Sequence, residues 1–173
     1  MGRCMEHGKV LWPEDLHAAH DSAAEEWAYK QAREEKKRLA ASLKERRLKY
    51  EFELDGLKIV FPATSLAIRR EGKVLDHCVG GYASRHMSGV CTILFLRRAN
   101  DPHTPYITIE MDGNKIRQIH GYHNDTLAGS PKPREVHKDF LDAWLRWLRA
   151  GSHRNEDGTP KLPKRTKKQK EVA

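Results

Sequence analysis

Two turn signals, Asp55-Gly56 and Asp112-Gly113-Asn114, restrict the fold of this chain more than any other feature. Each signal stands between short apolar runs, and Asp-Gly is a preferred start for the turn of a β-hairpin. The strands that these turns predict cover residues 50–54, 57–61, 106–111 and 115–122. The largely apolar run 90–98 predicts a central strand. We therefore expect a small antiparallel sheet made of a hairpin and a three-strand meander.

Helical composition or spacing marks four other segments. They are residues 13–50, 65–70, 78–86 and 135–149. The first has no internal Gly or Pro after Pro13 and predicts a long N-terminal helix. The second is expected to end at Gly72, and the last repeats apolar residues at helical spacing, so it should lie across the sheet. A sheet packed with helices in this order predicts the α+β class.

The chain divides by composition into three parts. Residues 1–49 form an N-terminal helical extension, 50–150 an α+β domain, and 151–173 a disordered basic tail rich in Gly, Pro and Lys. The net charge is +8, and the tail supplies half of it, with seven basic against three acidic residues. The tail is thus a candidate surface for nucleic acid, bound through phosphate contacts. The candidate contacts are Lys164, Arg165, Lys167 and Lys168. The alternative is a solubilising end.

The helical extension is mostly charged from Lys30 to Arg47. This segment is a candidate surface for a protein partner or for nucleic acid, and the alternative is a solvated helix face. No apolar run approaches the roughly 18 residues that span a bilayer, and the N-terminus lacks the apolar stretch of a signal peptide. Three cysteines without a CxxC pair do not predict a disulfide framework. These observations predict a cytoplasmic protein with no membrane partner.

Cys78 is the first candidate for chemistry, because a thiol at the start of a helix is favoured as a nucleophile. Cysteine hydrolases pair such a residue with a histidine base and a group that orients the base. The candidate catalytic residues are Cys78, His77, His120 and His123, with Asn124 or Glu110 as the orienting group. His77 is the poorer base, since adjacent helical side chains diverge by about 100°. The alternative is a small buried cysteine beside a capping or core histidine.

Polar side chains on the three predicted meander strands form a second set. The candidate binding residues are Tyr82, Arg97, Glu110, Gln118 and Asn124. If Arg97 and Glu110 pair across one face, the set makes a pocket for an anionic or nucleotide-like ligand. The alternative is a structural ion pair, or charges that face water. The sequence has no phosphate-binding loop, no dinucleotide glycine pattern and no HExxH. Neither a cofactor nor a metal site is predicted.

Five segments, in order along residues 12–125, resemble proteins of the PcfJ-like family. They are Trp12–Asp21, Glu71–Tyr82, Gly89–Arg97, Pro105–Glu110 and Gln118–Asn124. The middle segments, which include Asp76-His77-Cys78-Val79-Gly80-Gly81-Tyr82, are the most specific. Family members are often longer at the N-terminus, so the chain resembles a short form that covers the C-terminal module, and residues 50–150 are identified as a PcfJ-like domain.

The resemblance implies a setting in conjugative plasmids, phages and other mobile elements of bacteria. The first functional hypothesis is an accessory protein of such an element whose module binds nucleic acid or a protein partner. The alternative is a small cysteine-dependent hydrolase or transferase that uses Cys78 with His120 or His123.

Overall fold

A computed structural model describes residues 4–6, 9–11, 16–125 and 132–163. The chain divides into two units, residues 1–42 and 43–173. In the first unit, strands β1 (Cys4–Glu6) and β2 (Lys9–Leu11) form an antiparallel ladder. Helix α1 (Leu16–Tyr50) begins in this unit and confirms the predicted long N-terminal helix. Its predicted first turn, at 13–15, lies outside the described residues.

The second unit is built on a five-stranded antiparallel sheet. Its strands are β3 (Phe52–Leu54), β4 (Leu57–Val60), β5 (Thr92–Arg98), β6 (Ile107–Asp112) and β7 (Lys115–His120). They follow one another in the sheet in chain order. The hairpin and the meander are thus joined edge to edge by β4 and β5, where Ile59 lies opposite Leu96. The predicted α+β class is confirmed.

Helices cover both faces of this sheet. On the first face, α4 (Pro133–Val136) is followed by α5 (Lys138–Arg149), which packs its aromatic side chains on the sheet. Trp144 is fully buried, and its indole Nε1 donates to the Tyr50 carbonyl oxygen at 3.0 Å. This hydrogen bond lets a large aromatic ring occupy the core without leaving its N–H unpaired. The prediction that this helix lies across the sheet therefore agrees with its packing.

The second face carries α2 (Ser65–Leu75), a five-residue 3₁₀ helix (Cys78–Tyr82) and α3 (Ala83–Met87). We call the 3₁₀ helix the signature helix, because it holds five of the seven residues 76–82, which are among the most specific of the family resemblance. Ile68, Val79 and Ala83 pack on Ile93 and Phe95 of β5 and form a second, smaller core. None of the described helices combines the length and apolar character needed to cross a bilayer.

A buried ion pair fixes α2 on the sheet. The Arg97 guanidinium donates from Nη1 to Glu71 Oε1 at 2.8 Å and from Nη2 to Oε2 at 2.5 Å. Both side chains are almost completely buried, at 2% exposure for Glu71 and 4% for Arg97. Burial raises the pKa of the Glu71 carboxyl, and the hydrogen bonds from Arg97 and Thr108 oppose that shift by stabilising the charged form.

A buried histidine joins α3 to the sheet. His86 Nδ1 accepts from the Ile93 N–H at 3.0 Å, so Nε2 carries the proton and donates to the Pro62 carbonyl oxygen at 3.0 Å. Burial lowers the pKa of His86 to about 4, which keeps the ring neutral. Arg46, near the end of α1, donates to the carbonyl oxygens of His86 and Cys91 at 2.7 and 2.9 Å. The C-terminal end of α1 is thereby tied to the α3–β5 connection.

Residues 151–163, which composition assigned to the tail, are bound to the domain. Ser152 Oγ donates to the Lys49 carbonyl oxygen at 2.8 Å, and Arg154 donates to the carbonyl oxygens of Leu48 and Glu51. The last carbonyls of a helix have no intrahelical partner, and these side chains supply it for α1. Composition misses the contacts because the partners lie 103 to 106 residues apart in sequence. Lys164, Arg165, Lys167 and Lys168 lie outside the described residues.

Replacing Arg97 alone should destabilise the domain strongly. Arg97→Met leaves Glu71 buried without its cation, and we expect the free energy of unfolding in urea to fall by about 3–5 kcal/mol. Glu71→Leu/Arg97→Met removes both charges and should recover most of that loss. A double variant as unstable as Arg97→Met would contradict this account of the pair.

Candidate functional site

A cleft opens on the second face of the sheet, between the signature helix and strands β6 and β7. Its floor is apolar, from Val79 and Ile93. The polar lining consists of His77, Cys78, Tyr82, Thr108, Glu110, Gln118, His120 and Asn124. Its volume is about 40 Å³, far below the roughly 300–1,000 Å³ of a small-molecule pocket. The cleft therefore fits the tip of a group that a larger partner presents, and not a whole cofactor.

Two glycines bring the signature helix against α2. The sequence predicted that the second helix ends at Gly72, but α2 continues to Leu75. The residue that caps it is Asp76, whose backbone is left-handed at φ 50° and ψ 57°. A Cβ atom on Gly72 would lie 2.8 Å from the Gly80 nitrogen and 2.9 Å from the His77 carbonyl oxygen. Gly72 therefore lies inside the helix, where the absence of a Cβ atom lets the backbone of residues 77–80 come close to α2. This is why the helix does not end at this glycine.

His77 stands at the inner side of the cleft with an unpaired ring nitrogen. Its Nε2 atom is buried and has no hydrogen-bond partner among the described residues. Burial lowers the pKa of His77, so its ring is neutral near pH 7. Native proteins pair about 90% or more of buried polar atoms, and an unpaired one costs about 1–3 kcal/mol. This nitrogen is the atom in the cleft best suited to bind a polar group from outside.

His120 is held in the cleft by an acidic neighbour. Its Nδ1 lies 3.5 Å from Asp125 Oδ2, and both Asp125 oxygens accept from the Gly121 N–H, at 3.0 and 3.1 Å. A Cβ atom on Gly121 would lie 2.8 Å from Asp125 Oδ1. Glycine at 121 is thus what allows the carboxylate to reach both the backbone and the imidazole.

The turn that carries Asp125 (Tyr122–Asp125) has an unusual backbone. His123, Asn124 and Asp125 are all left-handed, with φ of 51°, 53° and 59°. Each such residue costs on the order of 1–2 kcal/mol, least for Asn and Asp. His123 Nε2 lies 3.1 Å from Asp76 Oδ2, which ties this turn to the end of α2. The strained turn directs Asn124 to the cleft, and such outliers are concentrated at functional sites.

Strand register sets the opposite wall of the cleft. Glu110 pairs with Gln118 across β6 and β7, so both side chains share the face on which the cleft lies. A register shift at Glu110/Met111 lets the Arg117 side chain reach Glu110, and Arg117 Nη1 lies 3.3 Å from Glu110 Oε1. Arg117 is itself mostly exposed, so this ion pair stands at the mouth of the cleft.

Tyr82, the last residue of the signature helix, forms one wall of the cleft. The Arg85 guanidinium lies over its ring, 5.5 Å from the ring centroid. Tyr82 is half-buried and Arg85 is exposed. The wall of the cleft at Tyr82 therefore combines an aromatic ring with the guanidinium of Arg85.

Cys78 is exposed at the edge of the cleft and makes no hydrogen bond with any described residue. The predicted helix over 78–86 is observed as the 3₁₀ signature helix followed by α3. The dipole argument for thiol activation assumes the aligned peptides of an α-helix, and a short 3₁₀ segment provides fewer of them. Cys78 and His120 both line the cleft, and no hydrogen bond joins their side chains.

The structure brings together most of the residues that the sequence singled out. The cleft contains Cys78, His77, His120, Tyr82, Glu110, Gln118 and Asn124. Arg97 does not reach Glu110, because Glu110 lies opposite Ile93, four residues or roughly 13 Å along β5 from Arg97. Its partner is Glu71, as in the alternative of a structural ion pair. His123 faces Asp76 and is not part of the lining.

Sequence reasoning missed Asp125, Thr108 and Glu71. The one local signal for Asp125 is the glycine directly after His120, with an acidic residue four positions after that glycine. Glu71 gave none, since its partner Arg97 is 26 residues away and a charge within a helix normally faces water. Across the part of the chain that the structure describes, no three His, Cys, Asp or Glu side chains are grouped to hold a metal ion.

These features define an α+β module whose signature helix closes a polar cleft on one face of an antiparallel sheet. The chain belongs to the PcfJ-like protein family, whose model matches residues 1–132. It is 30% identical over 117 residues to the Listeria innocua protein named "Uncharacterized protein Lin1253/Lin1744". The aligned residues cover 66% of this chain and 26% of the relative. The chain thus spans about a quarter of that relative's length. No solved structure matches it.

The close approach at Gly72 can be tested with two alanine variants. Gly72→Ala should force α2 and the signature helix apart and cost about 1–3 kcal/mol, as overpacking does. Gly81→Ala is the matched control, because a Cβ atom there meets nothing within 4 Å. We expect the control to leave urea-unfolding stability unchanged or slightly higher. Equal losses in both variants would show that the approach at Gly72 is not what places the signature helix.

Proposed function

We propose that the chain is a cytoplasmic accessory protein of a bacterial mobile element and that its module binds nucleic acid through the cleft. The family resemblance supports the setting. The observation that carries the binding role is the buried Nε2 of His77, which no described residue pairs, on a cleft whose small volume fits a protruding group of a larger partner. A macromolecular ligand meets both conditions, because it can insert one polar group while its remainder stays on the surface.

Charge favours nucleic acid as that macromolecule. Residues 54–150 have fourteen basic against ten acidic side chains, and the following 23 residues add seven against three. Arg85 and Arg117 are exposed, and they contact Tyr82 and Glu110, two residues that line the cleft. When one group of a nucleic acid enters the cleft, the neighbouring phosphates stay outside it, where exposed arginines can bind them. The exposed helix α1 is the surface we assign to a protein partner.

The binding role predicts a selective loss in two cleft variants. Fluorescence anisotropy with labelled DNA and RNA should show weaker binding for His77→Ala and Arg85→Gln than for the wild type. Arg85→Gln should also lower the slope of log K against log salt by about 0.7–0.9, because one phosphate contact is lost.

The matched controls are His103→Ala and Arg149→Gln, both exposed and outside the cleft. They should bind as the wild type does. Absence of binding to any nucleic acid at about 50 mM salt, where electrostatic contacts are strongest, would refute the proposed function.

A cysteine-dependent enzyme is the second candidate. The observation that favours it is an exposed thiol, Cys78, in the same cleft as His120, whose ring is oriented by Asp125. A thiol, an imidazole and a carboxylate are the groups of a cysteine nucleophile with its base and orienting residue. In this mechanism His120 takes the thiol proton, Cys78 attacks the carbonyl of an ester or amide, and His120 returns the proton to the departing alcohol or amine; water, or another acceptor in a transferase, then takes the acyl group from Cys78.

Thiol reactivity separates this candidate from binding alone. If His120 activates Cys78, then His120→Ala should slow alkylation of Cys78 by iodoacetamide near pH 7 about tenfold or more, as loss of a general base does. Peptide mass spectrometry would follow Cys78, with Cys91 as the internal buried control. Identical alkylation rates in His120→Ala and wild type would remove the enzymatic candidate.

A further inference from the structure

We infer that the cleft receives the edge of an unpaired nucleobase, so that the module prefers single-stranded nucleic acid to a duplex. This inference rests on the proposed nucleic-acid binding. A volume of about 40 Å³ admits the edge of a base but not a whole nucleoside. Bases in a duplex have their pairing edges occupied, so only an unpaired base can present that edge to the cleft.

The polar lining matches such an edge. Gln118 and Asn124 each carry an amide with both a donor and an acceptor, and His77 Nε2 has no hydrogen-bond partner in the described part of the chain. Amide and imidazole groups that line a cleft can make the hydrogen bonds that recognise a pairing edge. The turn at 123–125 and the β6–β7 register place Asn124 and Gln118 at the cleft, where their exposed amides can meet an entering base.

The aromatic wall supplies the second element of base recognition. Tyr82 lines the cleft with Arg85 over its ring. Unpaired bases stack on tyrosine rings and on guanidinium planes in proteins that bind single strands. A base against Tyr82 would leave its sugar and phosphate at the mouth, on the side where Arg85 is exposed.

Glu110 indicates which bases fit. Its Oε1 is paired with Arg117, and among the described residues its Oε2 has no hydrogen-bond partner. A carboxylate oxygen only accepts, so it suits the exocyclic amino group of cytosine, adenine or guanine, whereas the one ring N–H on the pairing edge of thymine or uracil lies between two carbonyl oxygens that a carboxylate repels. The ligand is therefore a single strand with an unpaired amino-bearing base.

The test compares short labelled oligonucleotides of equal length by fluorescence anisotropy: oligodeoxycytidine, oligodeoxythymidine, a mixed duplex, and oligodeoxycytidine with abasic positions. Stacking and edge contacts are worth about 1–3 kcal/mol per base, so oligodeoxycytidine should bind roughly 5- to 150-fold more tightly than the abasic strand. Gln118→Ala should reduce this ratio without changing the salt slope. Asn100→Ala, at an exposed amide in the connection between β5 and β6 and outside the cleft, is the matched control and should keep the ratio.

The outcomes distinguish this inference from the proposed function. Duplex and abasic strand that bind as tightly as oligodeoxycytidine would overturn base insertion and leave nucleic-acid binding in place. Equal affinity for oligodeoxythymidine would overturn the role given to Glu110. If none of these oligonucleotides binds at low salt, both the inference and the proposed function are wrong.

Discussion

The buried ion pair between Glu71 and Arg97 is the interaction on which the arrangement of the second face depends. It joins the middle of α2 to the central strand β5, and Thr108 adds a contact from β6. The next residue after Glu71 is Gly72, where the backbone of the signature helix comes closest to α2. Because the two contacts are adjacent in the chain, α2 transmits its position on the sheet directly to His77 and Cys78. A desolvated ion pair brings little net stability, but its geometry is specific, which is what positioning requires.

The cleft depends on a second set of backbone constraints at its other side. Gly121 admits the Asp125 carboxylate, and three left-handed residues form the turn that follows. The contact between His123 and Asp76 joins this turn to the left-handed end of α2. Strain of this kind persists only where surrounding contacts hold it, and here both sides of the cleft contribute. A rigid cleft with an unpaired ring nitrogen is suited to recognising a polar group and is also compatible with chemistry at Cys78.

Several parts of the fold follow from local sequence. The two Asp-Gly turns were enough to predict both hairpins, and α5 follows from apolar residues at helical spacing. The cleft was predicted in part, since His77, Tyr82, Gln118 and His120 were expected to be neighbours. The partner of Arg97 could not be predicted, because pairing on one sheet face depends on register, and a charged residue in α2 gives no sign of burial. Gly72 was misread for a related reason: glycine marks a helix end and a close approach alike.

The sequence alone determined the α+β class, the strand order of the meander and the family, because turn residues, apolar periodicity and the segments around Cys78 are all local signals. Tertiary structure decided which side chains meet. It placed Asp125 beside His120, Glu71 beneath Arg97 and residues 151–163 against the end of α1. Each of these contacts joins groups whose spacing follows from packing, register or an unsatisfied helix end. A linear pattern carries no information about which distant group satisfies such a need.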